Sequence, residues 1–447
     1  MGLSSRLNKG KKRSGNLTSK AEDEDSPLVR MRNEVKTEML KTIDFEALAT
    51  TDQAEVRPKL RLTLERIIKL RKLPLSRMDR EKLVEDICDN ILGFGPLEVL
   101  MKDPDVSDIM INGPKHIFVE RRGKVSLTNV KFDDNKHLMT VVERIVNAVG
   151  RRVDDQNPMV DARMKDGSRF NAIISPLSLD GAAVSIRRFG TIPITAEALI
   201  RFGSIPAPWM QVLEGCVRSK LNIIISGGTG SGKTTLLNVL SSFIPSHERL
   251  ITIEDSAELQ LAQEHVIRLE TRPANLEGKG AINQRDLVRN SLRMRPDRVI
   301  LGEIRGAEAV DMLTAMNTGH KGSLATVHAN NPDDALNRFE TMVGIGMPNM
   351  TDKVIRTTIA RALDVVVQQS RLIDGSRRLM SVTELIGMEG SVILTQDIFQ
   401  FQQDTIDKDG NVKGRFKATG LRPRFLSKLK MFGITISDDI FEWEMEV

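Results

Sequence analysis

The residues from Gly227 to Thr235 read GGTGSGKTT and contain the full G-x-x-x-x-G-K-[ST] pattern of a loop that cradles nucleotide phosphates. Gly227, Gly228, Gly230 and Gly232 let successive backbone N–H groups turn inward, with Thr229 and Ser231 between them and Thr235 opening the next helix. Lys233 is placed to reach β- and γ-phosphate oxygens and the Thr234 hydroxyl to ligate Mg2+, so the expected ligand is magnesium ATP. Two carboxylates follow at the ends of apolar strands. Glu254, in ITIEDSAEL, is a candidate to orient an attacking water, although a Glu-Asp pair at a strand end reads equally as a cap for the next helix. Glu303, in RPDRVILGEIRG, ends a segment of Walker B form and stands where an Asp more commonly holds the metal. Glu254 and Glu303 thus compete for the roles of base and metal holder, and spacing leaves both assignments open. His320 and His328 bracket the small residues of TGHKGSLATVHAN. No Cys or HExxH partner accompanies them, which argues against zinc. A histidine beside the γ-phosphate could report its presence, whereas either one alone reads as a structural imidazole.

Such residues need a rigid frame. The segments LNIIIS, LITIED and RVILGE are apolar without alternation and are interleaved with helical stretches, the pattern of a parallel sheet covered on both faces. The fold class is therefore α/β, with a P-loop core expected over 208–385. Ahead of it, SDIMING, HIFVERRG and KVSLTNVKF read as an antiparallel meander. With a helix near 136–149 and strands in SRFNAIISPLS and AAVSIRRFG, it makes an α+β domain over 93–190. The Pro-rich stretch 191–207 reads as a linker. Residues 31–92 are helical, with stripes at Leu60, Leu64, Ile67 and Leu83, Ile87, Ile91, and Ser76 and Asp79 set as a capping box. Residues 1–30 read as a disordered arm, and 386–447 as a β-rich appendage.

The 447 residues, 40% hydrophobic and 28% charged, describe an ordinary globular protein, and no apolar run nears the roughly 20 residues that cross a bilayer. The basic opening MGLSSRLNKGKKRSG has no apolar signal core, and Arg6 spoils a myristoylation pattern at Gly2, so a cytosolic location is expected. Cys88 and Cys216 form neither a disulfide framework nor a metal-type pair. A net charge of +5, aromatic content of 4% and no tyrosine leave few stacking platforms, so no stable nucleic-acid partner is expected.

In order, GGTGSGKTT, ITIEDSAEL, RPDRVILGEIRG and TGHKGSLATVHAN resemble the Walker A, Asp box, Walker B and His box of the secretion ATPases of type II and type IV secretion and type IV pili. The likeness runs over about 80–435. GFGPLEVLMKDPDVSDIMINGPKHIFVERRGK, VTELIGMEG and DIFQFQQD are similar to the CpaF-type branch, which serves tight-adherence (Tad) pili. The resemblance implies RecA-like ATPase domains in a homohexamer, peripheral at the cytoplasmic face of the inner membrane beneath a platform protein, driving pilus assembly or its reversal, retraction. It also implies that Arg169 of DGSRFN and Arg187 or Arg188 of VSIRRFG approach the phosphates when two domains close. Two other functions are compatible with the same motifs: an effector- or DNA-translocating type IV secretion ATPase, and a nucleotide-sensing scaffold without turnover.

Overall fold

In the computed structural model, Val35 and residues 53–71, 74–121, 123–188, 194–274 and 279–447 are described, and the chain divides into two units, 1–103 with 130–133 and 104–129 with 134–447. The expected arm at 1–30 lies outside the described residues. In the first unit, α1 (Gln53–Leu70) packs on α2 (Arg77–Leu92), followed by the short α3 (Glu98–Lys102). Leu60, Leu64, Ile68, Leu83, Val84, Ile87 and Cys88 are buried together. Ile67 packs half-buried against this cluster as its spacing predicts, and Ile68 beside it is fully buried, which widens the apolar stripe of α1. Ser76 caps α2 by accepting from Asp79 N at 3.1 Å, and the Asp79 carboxylate accepts the Ser76 hydroxyl at 2.6 Å.

The second unit holds two sheets. The smaller is antiparallel, in the order β3-β2-β1-β6-β5-β4, from β1 (Val106–Asn112), β2 (His116–Arg121), β3 (Lys124–Leu127), β4 (Met159–Arg163), β5 (Arg169–Ile173) and β6 (Ala183–Arg187). Amphipathic α4 (Asn135–Ala148) buries Leu138, Val141, Val142, Ile145 and Val146. Register places Asp108 opposite Arg187, Arg187 opposite Arg169, and Arg169 opposite Arg163. Directly paired residues share a face. Three arginines therefore stand in one row.

Thr195 caps α5 (Ala196–Arg201), and α6 (Ala207–Arg218) follows, so the described part of 191–207 carries a helix. Beyond it runs a ten-stranded sheet, β9-β8-β10-β11-β7-β12-β13-β14-β15-β16 in reverse of its order in space from the other edge. Its strands are β7 (Ile223–Gly227), β8 (Leu250–Glu254), β9 (Val266–Glu270), β10 (Arg298–Ile304), β11 (Leu324–Val327), β12 (Val365–Arg371), β13 (Arg377–Glu389), β14 (Val392–Ile406), β15 (Val412–Ala418) and β16 (Glu444–Glu446). From β9 to β12 every pairing is parallel, and from β12 to β16 every pairing is antiparallel. Helices α7 (Lys233–Ser241), α8 (Gln284–Ser291), α9 (Glu308–Asn317), α10 (Pro332–Gly346), α11 (Asp352–Ala362) and α12 (Leu426–Met431) complete the unit. Ile223 and Ile225 join the core on one face of the sheet, and Ile224 joins that on the other, which is why this strand shows no polar alternation. This is the RecA-like α/β architecture, in which β11 separates the P-loop strand from the strand ending in Glu303. Strand β13 crosses the 385/386 boundary, Phe399 and Phe416 pack on Trp209 of α6, and Phe441 stacks on Phe399, so 386–447 extends the same sheet and core.

Candidate active site

In a parallel α/β sheet the carboxyl ends of the strands form the binding edge. Here that edge gathers the loop after β7, Glu254 at the end of β8, Glu303 near the end of β10, and His328 directly after β11. The loop needs its glycines. Gly230 has φ 69° and Gly232 φ 97°, and a Cβ on Gly227 would sit 2.3 Å from Gln369 O. Lys233 opens α7 and donates from Nζ to Gly227 O at 2.9 Å and Gly228 O at 3.0 Å. Burial lowers its pKa, and the nearby Glu303 charge opposes that. Thr229 is exposed, Thr234 and Thr235 are half-buried, and Ser231 is buried with its Oγ unpartnered.

Glu254 is 3% exposed. Its Oε2 accepts from Glu258 N at 2.7 Å and Leu259 N at 2.9 Å, because the loop after β8 curls back over the carboxylate. Its Oε1 is buried without a partner. Burial pushes its pKa up to about 7, against the two N–H groups that favour the charged form. Glu303 is differently placed. Arg305 donates to Glu303 Oε2 at 2.6 Å and 2.9 Å and reaches Asp255 Oδ2 at 3.2 Å. One carboxylate thus sits buried with its pKa raised, and the other lies partly exposed in an ion pair with Arg305.

His328 has its pKa lowered by burial and by Lys233, with Glu303 opposing, so it shares their electrostatic neighbourhood. His320 does not. It precedes β11 and its Nδ1 bonds to Pro296 O at 3.0 Å, ahead of β10, which puts it at the opposite edge of the sheet. The expectation that both histidines sense phosphate fails for His320, because a whole strand lies between them.

Among the three arginines implicated by resemblance, Arg169 pairs with Asp161 at 3.0 Å, and Arg187 pairs with Asp108 at 3.2 Å and lies 3.9 Å from Glu258. Arg188 is outside this row, with Nη1 donating to Val106 O at 3.2 Å. Sequence reasoning passes over four participants. Arg163 meets Glu270 at 2.8 Å, Arg305 neutralises Glu303, Arg377 donates to Gly230 O at 2.9 Å, and Gln369, 3% exposed, has an unpartnered Oε1 on the strand beside the loop. Arg305 had a local signal, two residues after Glu303. The other three act across long separations.

The glycine cradle, the inward lysine and the orphaned Glu254 oxygen suit a nucleotide with its divalent metal. Thr234 and Glu303 are the residues that would hold the metal.

Residues 90–406 match the family described as Type II/IV secretion system protein, and residues 28–92 match Type II secretion system protein E, N-terminal domain. The "Putative conjugal transfer protein Rv3659c" of Mycobacterium tuberculosis is 34% identical over 308 residues, 68% of this chain and 87% of that protein. "Protein VirB11" of Agrobacterium fabrum is 30% identical over 307 residues, 61% and 87% of the two chains. The solved VirB11 ATPase of the Brucella suis type IV secretion system is 27% identical, covering 64% of this chain and 94% of that one with a TM-score of 0.36.

Proposed function

This chain belongs to the Type II/IV secretion system protein family and is an ATPase, and from that premise we propose that it is the hexameric motor of a Tad or type IV-like pilus. In this reading it works at the cytoplasmic face of the inner membrane and acts on a platform protein there. Among the described residues no helix is long and apolar enough to cross a membrane.

The observation that carries the mechanism is the free Oε1 of Glu254 on the strand edge shared with Lys233. The P-loop N–H groups and Lys233 bind and orient the phosphates of ATP. Glu254, ionised, accepts a proton from the water that attacks the γ-phosphate in line. Magnesium, held by Thr234 and Glu303, would supply neutralisation of phosphate charge. His328 senses the phosphate. Arg169 and Arg187, held here by Asp161 and Asp108, are the cations that a movement of the small sheet would bring to the transferring group. Closure of that sheet and its release with phosphate form the power stroke.

The test is steady-state phosphate release from the full chain with magnesium ATP across protein concentration, with sizing alongside and Lys233→Ala as the control. Turnover that rises with hexamer formation and vanishes in the variant supports the motor. Unchanged hydrolysis in the variant overturns the P-loop assignment, and a folded hexamer that binds ATP without turnover, even with platform-protein membranes added, moves the reading to a scaffold. The relatives' names favour a second reading, a translocating motor of conjugation or effector export. Stimulation by single-stranded DNA, and not by membranes carrying a pilus platform protein, would favour that one.

A further inference from the structure

The peptide joining Ala257 to Glu258 has both of its polar groups engaged, by different parts of the molecule. Its N–H donates to Glu254 Oε2 at 2.7 Å, and its carbonyl accepts from Arg163 Nη2 at 3.2 Å. A trans peptide is planar, with C=O and N–H pointing in opposite directions. Whatever fixes the carbonyl therefore also aims the N–H.

Arg163 ends β4, the edge strand of the small sheet, and its Nη1 rests on Glu270 Oε2 at 2.8 Å at the end of β9. The same Oε2 accepts from Ala257 N at 3.3 Å. Ala257 is thus tied at both backbone groups to one ion pair. With side chains 33% and 35% exposed, that pair is of a kind that contributes little to stability. What it does fix is the loop that wraps the Glu254 carboxylate.

We propose that Arg163 is a positioning residue for Glu254. By holding the Ala257 carbonyl it directs the Glu258 N–H onto Oε2, which leaves Oε1 as the oxygen turned to the reacting water. This inference rests on the reading of Glu254 as the base. It gives the small sheet a second way to govern hydrolysis, separate from the delivery of Arg169 and Arg187: the base is correctly set only while β4 is seated on β9 and the loop after β8. Besides these backbone groups, the Glu258 charge of its own loop pushes the Glu254 carboxyl up and the Arg268 charge of β9 pulls it down.

The experiment measures kcat, KM for ATP and the pH dependence of kcat for the full chain, in the wild type and in Arg163→Ala, Arg163→Lys and Glu254→Gln. Arg163→Ala is expected to lower kcat about 10- to 100-fold through misplacement of the base. Its KM should stay within about twofold, since no ground-state contact with nucleotide is lost. The inflection of kcat against pH should move to higher pH, because an N–H aimed at a carboxylate favours its charged form. Arg163→Lys should fall between, since a single ammonium cannot serve the carbonyl and Glu270 in the fixed fork of a guanidinium.

Glu254→Gln separates premise from inference. Hydrolysis retained in that variant overturns the assignment of the base. An inactive Glu254→Gln beside an Arg163→Ala with wild-type kcat and inflection overturns the role of Arg163 alone. A raised KM at unchanged kcat in Arg163→Ala also overturns it, by placing the guanidinium on the nucleotide. Should Arg163→Ala fail to fold, Arg163→Lys carries the same two expectations at smaller amplitude, and a wild-type profile there overturns the proposal.

Discussion

Arg298 and Glu254 are buried ionisable residues on neighbouring parallel strands, Arg298 at the start of β10 and Glu254 at the end of β8. Arg298 grips Glu248 with two bonds of 2.7 Å and 2.9 Å and donates to Val217 O at 2.7 Å and Gly322 O at 3.2 Å. Burial pushes the Glu248 carboxyl up, yet Arg298 and then Lys220 hold it below its ordinary value. Asn222, at the same end, donates to Ala362 O and accepts from Gly322 N and Ser323 N. At the other end Glu254 Oε1, Ser231 Oγ and Gln369 Oε1 are buried without partners. Burial is alike and satisfaction is not. A closed polar network holds strands in register, whereas an acceptor left open in a low-dielectric pocket is poised for a ligand or a proton.

The sharpest way to break this contrast is Glu254→Gln. It should lower kcat roughly 10²- to 10⁴-fold, as loss of a general base does, while ATP still binds in an equilibrium titration. If Glu303→Gln alone had that phenotype, the two carboxylates would exchange roles. With Glu254 raised to about 7 by burial, kcat of the wild type should climb as pH rises through that value. Stability should run the other way: a carboxyl with a raised folded pKa contributes stability that is present below its unfolded value and lost as pH rises through about 7. Thermal melts of wild type and Glu254→Gln on either side of that pH should therefore converge on the acid side and separate on the alkaline side, with the wild type lower.

Arg298→Ala tests the opposite edge. Removing one partner of a buried pair should cost about 3–5 kcal/mol in denaturant unfolding, with kcat per folded molecule unchanged. A catalytic loss at full stability would dissolve the distinction between the edges. The smallest effects belong to the histidines. His328→Ala should lower kcat about tenfold, equivalent to about 1.4 kcal/mol. His320→Ala should leave kcat alone and cost about 1 kcal/mol, the worth of its bond to Pro296 O.

The P-loop, β8 and β10 are legible in the sequence because each is a local pattern: glycines at fixed spacing, or an apolar run closing on a carboxylate. His320 is misread because eight residues of spacing say nothing about which edge each imidazole occupies. Only once Leu324–Val327 is seen to be β11, about 13 Å of extended chain, do the two histidines part. Arg163 is invisible for a related reason, since its meaning lies in a carbonyl 94 residues away. The two glutamates share a position in their motifs, and what separates them is burial and the Arg305 guanidinium, neither of which spacing encodes. Residues 386–447 read as a separate β-rich appendage because each strand there is a local pattern, whereas membership of the larger sheet depends on pairings such as Val382 with Phe399, which no local window contains.

The stacking of Trp209 on Phe399 at 4.8 Å, with Phe416 edge-on at 5.0 Å, has an optical consequence. The chain has two tryptophans and no tyrosine, and the second, Trp443, packs against the same core. Its near-ultraviolet emission therefore originates in the antiparallel half of the large sheet, with the nucleotide edge spectrally silent. A shift in that emission reports the state of a core that no catalytic substitution touches, and the wavelength range needed to watch a fluorescent nucleotide analogue is left clear.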